Sequence, residues 1–349
     1  MNEKPVRLSD VATLAGVSVS TASKVLNGRG RVSAETRRRI EEVAERLDFR
    51  PNALARFFAT GKSQTIGVVT SDAPSVFALP VLLGAQSALG KSEMATLLYS
   101  VRYDLRGLGD VVRRLRARQV DGVIVVGDSL ESPLHSISHD VPVPVVYALG
   151  VSEDPRDISV TPDGRMVGNL AVQHLLDIGR PRVVHVAGPA TDLATQDRVR
   201  GMLATLQGAG LELVGDVQYG DWSRGWGARA ASRLLDQGTV FDAMFCGNDQ
   251  IATGALLALR AAGVRVPDDV AIVGVDNLAS LVRQPDGLIT TVDTNMAALG
   301  EVAAGCLLDA GSSTIEPGVH YQRCSLVLGE STTGARPGAP TDEERYLPI

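Results

Sequence analysis

Apolar residues recur at helical spacing through the first fifty positions and in short β-branched runs after residue 62, and this change of period divides the chain. Leu8, Val11, Ala12 and Ala15 fall at i, i+3, i+4 and i+7, one face of a first helix. Ser9 is placed to cap it, and Gly16 breaks the periodicity with a turn. Ser18 caps a second helix with a narrow apolar face of Ala22, Val25 and Leu26, and its opposite face carries Val19, Ser20, Ser23, Lys24 and Asn27. Gly28 and Gly30 end that helix. Ser33 caps a third, whose core face is Ile40, Val43, Ala44 and Leu47. Two short helices joined by a tight glycine turn and braced by a third form a unit that enters a DNA major groove. Small and polar side chains on the outer face of the second helix suit base edges.

From Thr65 onward the pattern predicts strands at Thr65–Thr70, Thr96–Val101, Gly122–Val126, Val143–Tyr147, Val183–Ala187, Val214–Tyr219, Ala243–Cys246 and Val270–Val275. Helices fit between them at Leu79–Lys91, Leu108–Arg118, Gly164–Ile178, Asp197–Gln207, Ser223–Leu235 and Asp249–Ala262. Continuous apolar strands alternating with helices predict parallel sheets buried on both faces, an α/β body. About 270 residues exceed what one sheet organises, so two doubly wound lobes are expected.

Charge sharpens the division. Residues 1–62 hold 12 of the 34 Lys and Arg but 7 of the 40 Asp and Glu, so the head carries +5 and the remainder −11. A basic head on an acidic body predicts that the head meets a polyanion and the body does not. A generic three-helix domain with Arg37–Arg39 as a solvated face is the alternative. Cys246, Cys306 and Cys324 are odd in number and lack metal-ligand spacing. His135 and His139 stand four apart without a third ligand, so neither a metal nor a cofactor is implied. An apolar N-terminal leader and a bilayer-length apolar run are both missing, which predicts a cytoplasmic protein without a membrane partner. Enzyme readings find no support: there is no Gly-x-Ser-x-Gly elbow, no phosphate loop and no His-Glu-x-x-His, and Gly28-x-Gly30 follows a helix rather than a strand.

The segment Leu8 to Asn27, LSDVATLAGVSVSTASKVLN, followed by RVSAETRRRIEEVAERLDFRPNALAR, resembles the headpiece of the LacI/GalR family of bacterial transcription regulators, and the resemblance continues to about Gly334. It implies a helix-turn-helix domain over 1–50, a hinge helix and linker over 51–62, and a periplasmic-binding-protein-like effector core over 63–335. In that core, lobe 1 spans about 63–161 and 293–322, and lobe 2 about 162–292 and 323–335, with a flexible tail over 336–349. The chain would cross between lobes near Val160–Asp163, Thr290–Asp293 and Tyr321–Cys324. Pro51 suits the first position of the hinge helix, which is too short to be stable alone in water.

On double-stranded operator DNA the resemblance places Ser18, Val19, Ser20, Ser23, Lys24, Asn27 and Arg31 of the head, with Asn52, Ala55 and Phe58 of the hinge. Lys24 and Phe58 depart from the arginine and leucine common there. Phe58 is either a minor-groove wedge or a packing aromatic. As a wedge it makes Phe58→Ala lose operator affinity and DNA bending together.

For the effector the resemblance points to Arg198, Trp222, Asn248 and Asp276, with Ser71, Phe77, Tyr147 and Met296 as further cleft candidates. A guanidinium offers a rigid fork of donors, a carboxylate accepts from hydroxyls, and an indole offers a flat face to a pyranose. The same residues also read as a structural ion pair (Arg198 with Asp276), a helix cap (Asn248) and a core aromatic (Trp222). Ala148 stands where several sugar-binding members carry a charge, so their particular sugar contacts do not transfer.

The tail lacks a leucine heptad, so a homodimer is expected, matching a palindromic operator. The expected function is an effector-responsive regulator, a repressor released by a small sugar-like ligand. A purine or nucleoside is the alternative effector, and a cytoplasmic small-molecule binding protein acting through protein partners is the alternative class.

Overall fold

The computed structural model describes residues 6–26, 31–49, 61–71, 75–102, 105–128, 133–278, 288–310 and 315–334. These residues form two units, the headpiece and the body.

The headpiece is three helices, α1 (Leu8–Leu14), α2 (Val19–Leu26) and α3 (Ala34–Arg46). Val11, Ala12, Ala15, Ala22, Val25, Ile40, Val43 and Ala44 form its core, the residues that the 3.6 period selects. Ser18 Oγ accepts from the Thr21 N–H at 3.1 Å, and Ser33 Oγ accepts from the Thr36 N–H at 3.2 Å, so both expected caps form. Ser9 does not cap α1. That helix starts two residues earlier, at Leu8 with Arg7 as its N-cap, and the Asp10 carboxylate reaches back to the Arg7 N–H at 2.8 Å. Gly16 turns the chain at φ +62°, the left-handed region that a residue without Cβ enters freely.

The body holds two six-stranded sheets among the described residues. The first comprises β1 (Thr65–Ser71), β2 (Ala95–Val101), β3 (Gly122–Val126), β4 (Val145–Ala148), β5 (Ile158–Pro162) and β11 (Gly318–Gln322), in the order β11-β5-β4-β3-β1-β2. The second comprises β6 (Val183–Ala187), β7 (Gln218–Tyr219), β8 (Ala243–Cys246), β9 (Ala271–Val275), β10 (Thr290–Asp293) and β12 (Ser325–Val327), in the order β12-β10-β9-β8-β6-β7. β12 runs antiparallel to β10, whereas β3, β4, β5 and β8, β9 pair in parallel with their neighbours.

Helices α4 (Ala78–Lys91), α5 (Leu105–Arg118) and α10 (Met296–Asp309) belong to the first lobe. α6 (Gly164–Asp177), α7 (Leu193–Gly208), α8 (Arg224–Asp236), α9 (Asp249–Ala261) and the short α11 (Glu330–Thr333) belong to the second. Strand alternation feeds two cores. Along β8, Met244 and Cys246 pack with α8 and α9, while Ala243 and Phe245 pack with α6 and α7. The chain passes between sheets after Pro162, after Asp293 and after Gln322. The Asp163 N–H donates to the Gln322 carbonyl at 3.0 Å, tying two of these passages together.

Three expectations change. Val214–Tyr219 shrinks to the two residues of β7, because Gly215 turns the chain at φ +68°. α7 begins at Leu193, not Asp197: Asp192 Oδ1 accepts from the Ala194 N–H at 2.8 Å and starts the helix earlier. α10, which is not among the helices named from the sequence, is a full helix packed on the first sheet through Met296, Leu299, Ala303 and Leu307.

Candidate functional site

Each unit presents a candidate surface. On the headpiece, α2 buries Ala22 and Val25, and this fixes which residues face outward. Val19, Ser20 and Lys24 are exposed, Ser23 is half-buried, and Ser18 and Arg31 are exposed at the flanks. Asn27, Asn52, Ala55 and Phe58 lie outside the described residues.

In the body a cleft open to solvent lies between the carboxyl ends of the two sheets. The position follows from the topology. Parallel strands end together, and their following loops converge on the gap between lobes. Asp128 follows β3, Pro162 ends β5, Asp192 follows β6, Trp222 follows β7, Asn248 follows β8 and Asp276 follows β9, and all six line the cleft. Phe77, Arg198 and Met296 line it too.

Arg198 lies in the second turn of α7 rather than opening the helix. Its Nη1 donates to the Gly247 carbonyl, and its Nη2 stands 3.5 Å from Asp276 Oδ1. The guanidinium carbon lies 5.5 Å from the Trp222 ring centre, a cation–π distance. Trp222 Nε1 donates to Asp192 Oδ2 at 3.3 Å. Trp222 precedes α8 and faces the cleft, whereas Trp226 within α8 is buried and donates to the Ala187 carbonyl at 2.9 Å. Asn248 caps α9 by accepting from the Ile251 N–H at 2.8 Å, and its Nδ2 donates to the Trp222 carbonyl at 3.3 Å. The structural readings of these residues therefore hold together with their position in the cleft: the ion pair and the cap are both present.

The backbone of Asp276 adopts φ +100°, a conformation costly for a residue with a Cβ. Three contacts hold it. The Asp276 N–H donates to the Val292 carbonyl at 2.9 Å, the Asn277 N–H to Thr291 Oγ1 at 3.1 Å, and Asn277 Nδ2 to Asp293 Oδ2 at 3.0 Å.

Two expected cleft residues do not reach it. Tyr147 is fully buried on the opposite face of β4 from Val146 and Ala148. Its hydroxyl accepts from the Ile137 N–H at 2.8 Å. Ser71 ends β1 half-buried and is not among the described residues that line the cleft. Two residues go unread from sequence, Asp128 and Asp192. Asp128 follows a buried strand through one glycine, the same form as Gly247–Asn248, and that repetition was the available signal.

Asp249 lies behind the cleft. Its Oδ2 accepts from the Leu278 N–H at 2.7 Å, but Oδ1 is buried without a partner among the described residues. Burial raises its carboxyl to about 7, the charge of Asp276 adds to the rise, and the Leu278 N–H, Thr291 and Arg198 oppose it. Burial also pushes Asp276 up against the pull of Arg198. Folded Asp249 thus keeps a proton that the unfolded chain releases in the ordinary carboxylate range. Its contribution to stability falls as pH rises from about 4 to about 7 and stays low above that. Asp249→Asn is expected to raise the urea midpoint at pH 8 relative to the parent and leave it nearly unchanged at pH 4.5. A lowered midpoint at pH 8 would show that the ionised carboxylate is well accommodated.

Among the described residues no helix is long and apolar enough to cross a membrane.

Residues 7–52 match the model of bacterial regulatory proteins, lacI family. Residues 63–315 match that of periplasmic binding proteins and the sugar binding domain of the LacI family. The HTH-type transcriptional regulator CelR of Thermobifida fusca is 33% identical over 336 residues, 93% of this chain and 97% of that one. The crystal structure of the lac repressor dimer bound to operator and an anti-inducer superposes with a TM-score of 0.68 at 27% identity, covering 94% of this chain and 99% of that one. The complex of a transcriptional regulator CelR with cellobiose superposes with a TM-score of 0.62 at 31% identity, covering 93% and 99%.

Proposed function

This chain belongs to the lacI family of bacterial regulatory proteins, and from that premise we propose that it is a cytoplasmic, dimeric repressor released from a palindromic operator by a small sugar-like effector, with no catalytic activity of its own. The observation that carries the reading is the pairing of two surfaces in one chain. A three-helix head exposes Val19, Ser20 and Lys24, and a cleft between two lobes gathers Arg198, Trp222, Asn248 and Asp276. The lac repressor neighbour acts as a dimer on operator DNA and the CelR neighbour holds cellobiose, which supports both halves.

The mechanism is a population shift. The passages at Asp163, Thr294–Asn295 and Arg323–Cys324 are the strips joining the lobes, so a ligand gripped from both sides favours one lobe arrangement over another. If that arrangement binds operator less well, the ligand lowers DNA affinity by the same coupling by which DNA lowers ligand affinity.

The test has two arms. Duplexes enriched from a random pool should bind with a steep negative dependence on salt, as phosphate neutralisation requires. A sugar or nucleoside that raises the thermal midpoint should then release that duplex. A ligand that stabilises the body without changing duplex affinity overturns the regulatory reading in favour of a binding protein working through protein partners. Lys24→Ala is expected to weaken the enriched duplex by about 1–3 kcal/mol and random duplex less. Equal loss on both would make Lys24 a phosphate contact.

A further inference from the structure

The acidity of the body is an average, and one helix departs from it. α5 holds five arginines and one aspartate. It buries Leu108, Val111, Val112 and Leu115, and Leu115 fills the space beside Gly67 of β1. Arg113, Arg114, Arg116 and Arg118 are left exposed on the outer side. Arg113 pairs with Asp110. Arg114 and Arg118 stand four apart, so their guanidinium groups share one strip of the helix. The helix dipole favours basic residues in the last turn, which accounts for Arg116 and Arg118 but not for a row that starts further back.

This helix ends where the chain from the head enters the body. β1 and β3 run in parallel with Ile66 beside Gly122, so both start at the same edge of the first sheet. Arg118 leads through Gln119 and Val120 to Asp121, the residue before β3. The Asp121 N–H donates to the Thr65 carbonyl at 2.8 Å. Its carboxylate accepts from the Ser63 N–H at 3.0 Å with Oδ1 and from the Gln64 N–H at 2.7 Å with Oδ2. Lys62, exposed, directly precedes this clamp. Residues 50–60, between the described head and Gly61, span about 40 Å at most when extended. Duplex held by the head is therefore tethered within that reach of the edge at which α5 ends.

We propose that the outer strip of α5, Arg114 and Arg118 with Arg116 and Lys62 beside them, is a second DNA-binding surface that holds phosphates of duplex lying beyond the operator sequence read by the head. The proposal rests on the reading of the head as the operator-binding domain. Guanidinium forks present paired N–H donors that match phosphate oxygens. Contacts to phosphate carry no base preference, so flanking duplex of any sequence serves. The body as a whole is acidic, so a polyanion is drawn to this edge and repelled elsewhere, which orients the flank.

The experiment uses full-length protein and two duplexes. One is the enriched operator alone, about 20 base pairs, and the other carries the same operator with about 20 base pairs of unrelated sequence on each side. At low salt the parent is expected to bind the long duplex at least tenfold more tightly than the short one. The double variant Arg114→Gln, Arg118→Gln is expected to lose that gain and to bind the short duplex as the parent does. Its salt slope on the long duplex should fall by about 2, because each phosphate contact contributes about 0.9. Arg114→Lys, Arg118→Lys keeps the charge and is expected to keep most of the gain. Arg224→Gln, Arg229→Gln on α8 of the other lobe makes the same change in net charge and is expected to leave the gain intact.

Equal affinity of the parent for the two duplexes overturns the proposal. So does an α8 variant that loses as much as the α5 variant, since overall charge is then the cause, or an α5 variant that loses equally on both duplexes. If the short duplex binds with a steep salt dependence and the flanks add nothing, the α5 surface fails while the reading of the head stands. If neither duplex binds, the reading of the head is what fails, and this proposal falls with it.

Discussion

Gly254→Ala is expected to destabilise the second lobe by about 3 kcal/mol or more, read as a fall in the urea midpoint. Helix propensity alone predicts the reverse, because alanine inside a helix is favoured over glycine by about 1 kcal/mol. The contact decides. A Cβ at Gly254, inside α9, would lie 1.9 Å from the Arg224 carbonyl oxygen and 2.9 Å from the Ala228 nitrogen, both backbone atoms of α8. The approach is reciprocal, since a Cβ at Gly227 of α8 would lie 2.0 Å from the Ile251 carbonyl oxygen. Backbone on each side leaves no flexible side chain to move aside, so the helices must separate and open the core around Ile251, Ala255 and Ala230. Gly90→Ala is the control. It sits near the end of α4 with no neighbouring atom within 4 Å of an added Cβ, and it should be neutral or stabilising. If Gly254→Ala proves as benign as Gly90→Ala, the two helices are not in backbone contact.

Gly188→Ala is expected to weaken effector binding by about tenfold to a hundredfold while leaving DNA binding by the head intact. Gly188 follows β6, and an added Cβ would lie 2.4 Å from the Trp222 ring. A Cβ at Gly247 would lie 3.1 Å from the same ring. The two glycines are therefore the floor on which the indole rests, with its Nε1 held by Asp192 and one face toward Arg198. A methyl group at position 188 pushes the ring toward the cleft, into the space meant for ligand. Overpacking of this kind costs about 1–3 kcal/mol, and every 1.4 kcal/mol is about a factor of ten in affinity. Ligand titration by calorimetry measures the loss, and operator binding without ligand checks the head. Unchanged ligand affinity would mean that Trp222 does not form the binding face.

These two glycines mark the division between what sequence and structure decide. Local pattern determined the three head helices, because a 3.6 period of small and branched apolar residues has one way to bury itself, and Ser18 and Ser33 stop the helices from slipping. It also determined the parallel body, because strands such as Gly122–Val126, apolar at every position, need cover on both faces. Arg198, Asn248, Asp276 and Trp222 were legible as cleft residues through the family resemblance and because three of them follow strands, and the carboxyl ends of parallel strands converge.

What lay beyond the sequence depends on contacts between distant segments. The ion pair of Arg198 with Asp276 spans 78 positions, and the bond from Trp222 to Asp192 spans 30. Tyr147 was misplaced because a strand residue turns to one face or the other, and only the packing of Ile137 and Ser138 against β4 shows which face the hydroxyl takes. Gly188 and Gly254 read in one dimension as a turn and a weak helix position. Their roles arise from an indole and a helix backbone that approach from elsewhere in the chain. Hydrophobic period is a property of neighbours along the chain and survives in one dimension, whereas close approach and charge pairing are properties of neighbours in space and exist only once the chain has folded.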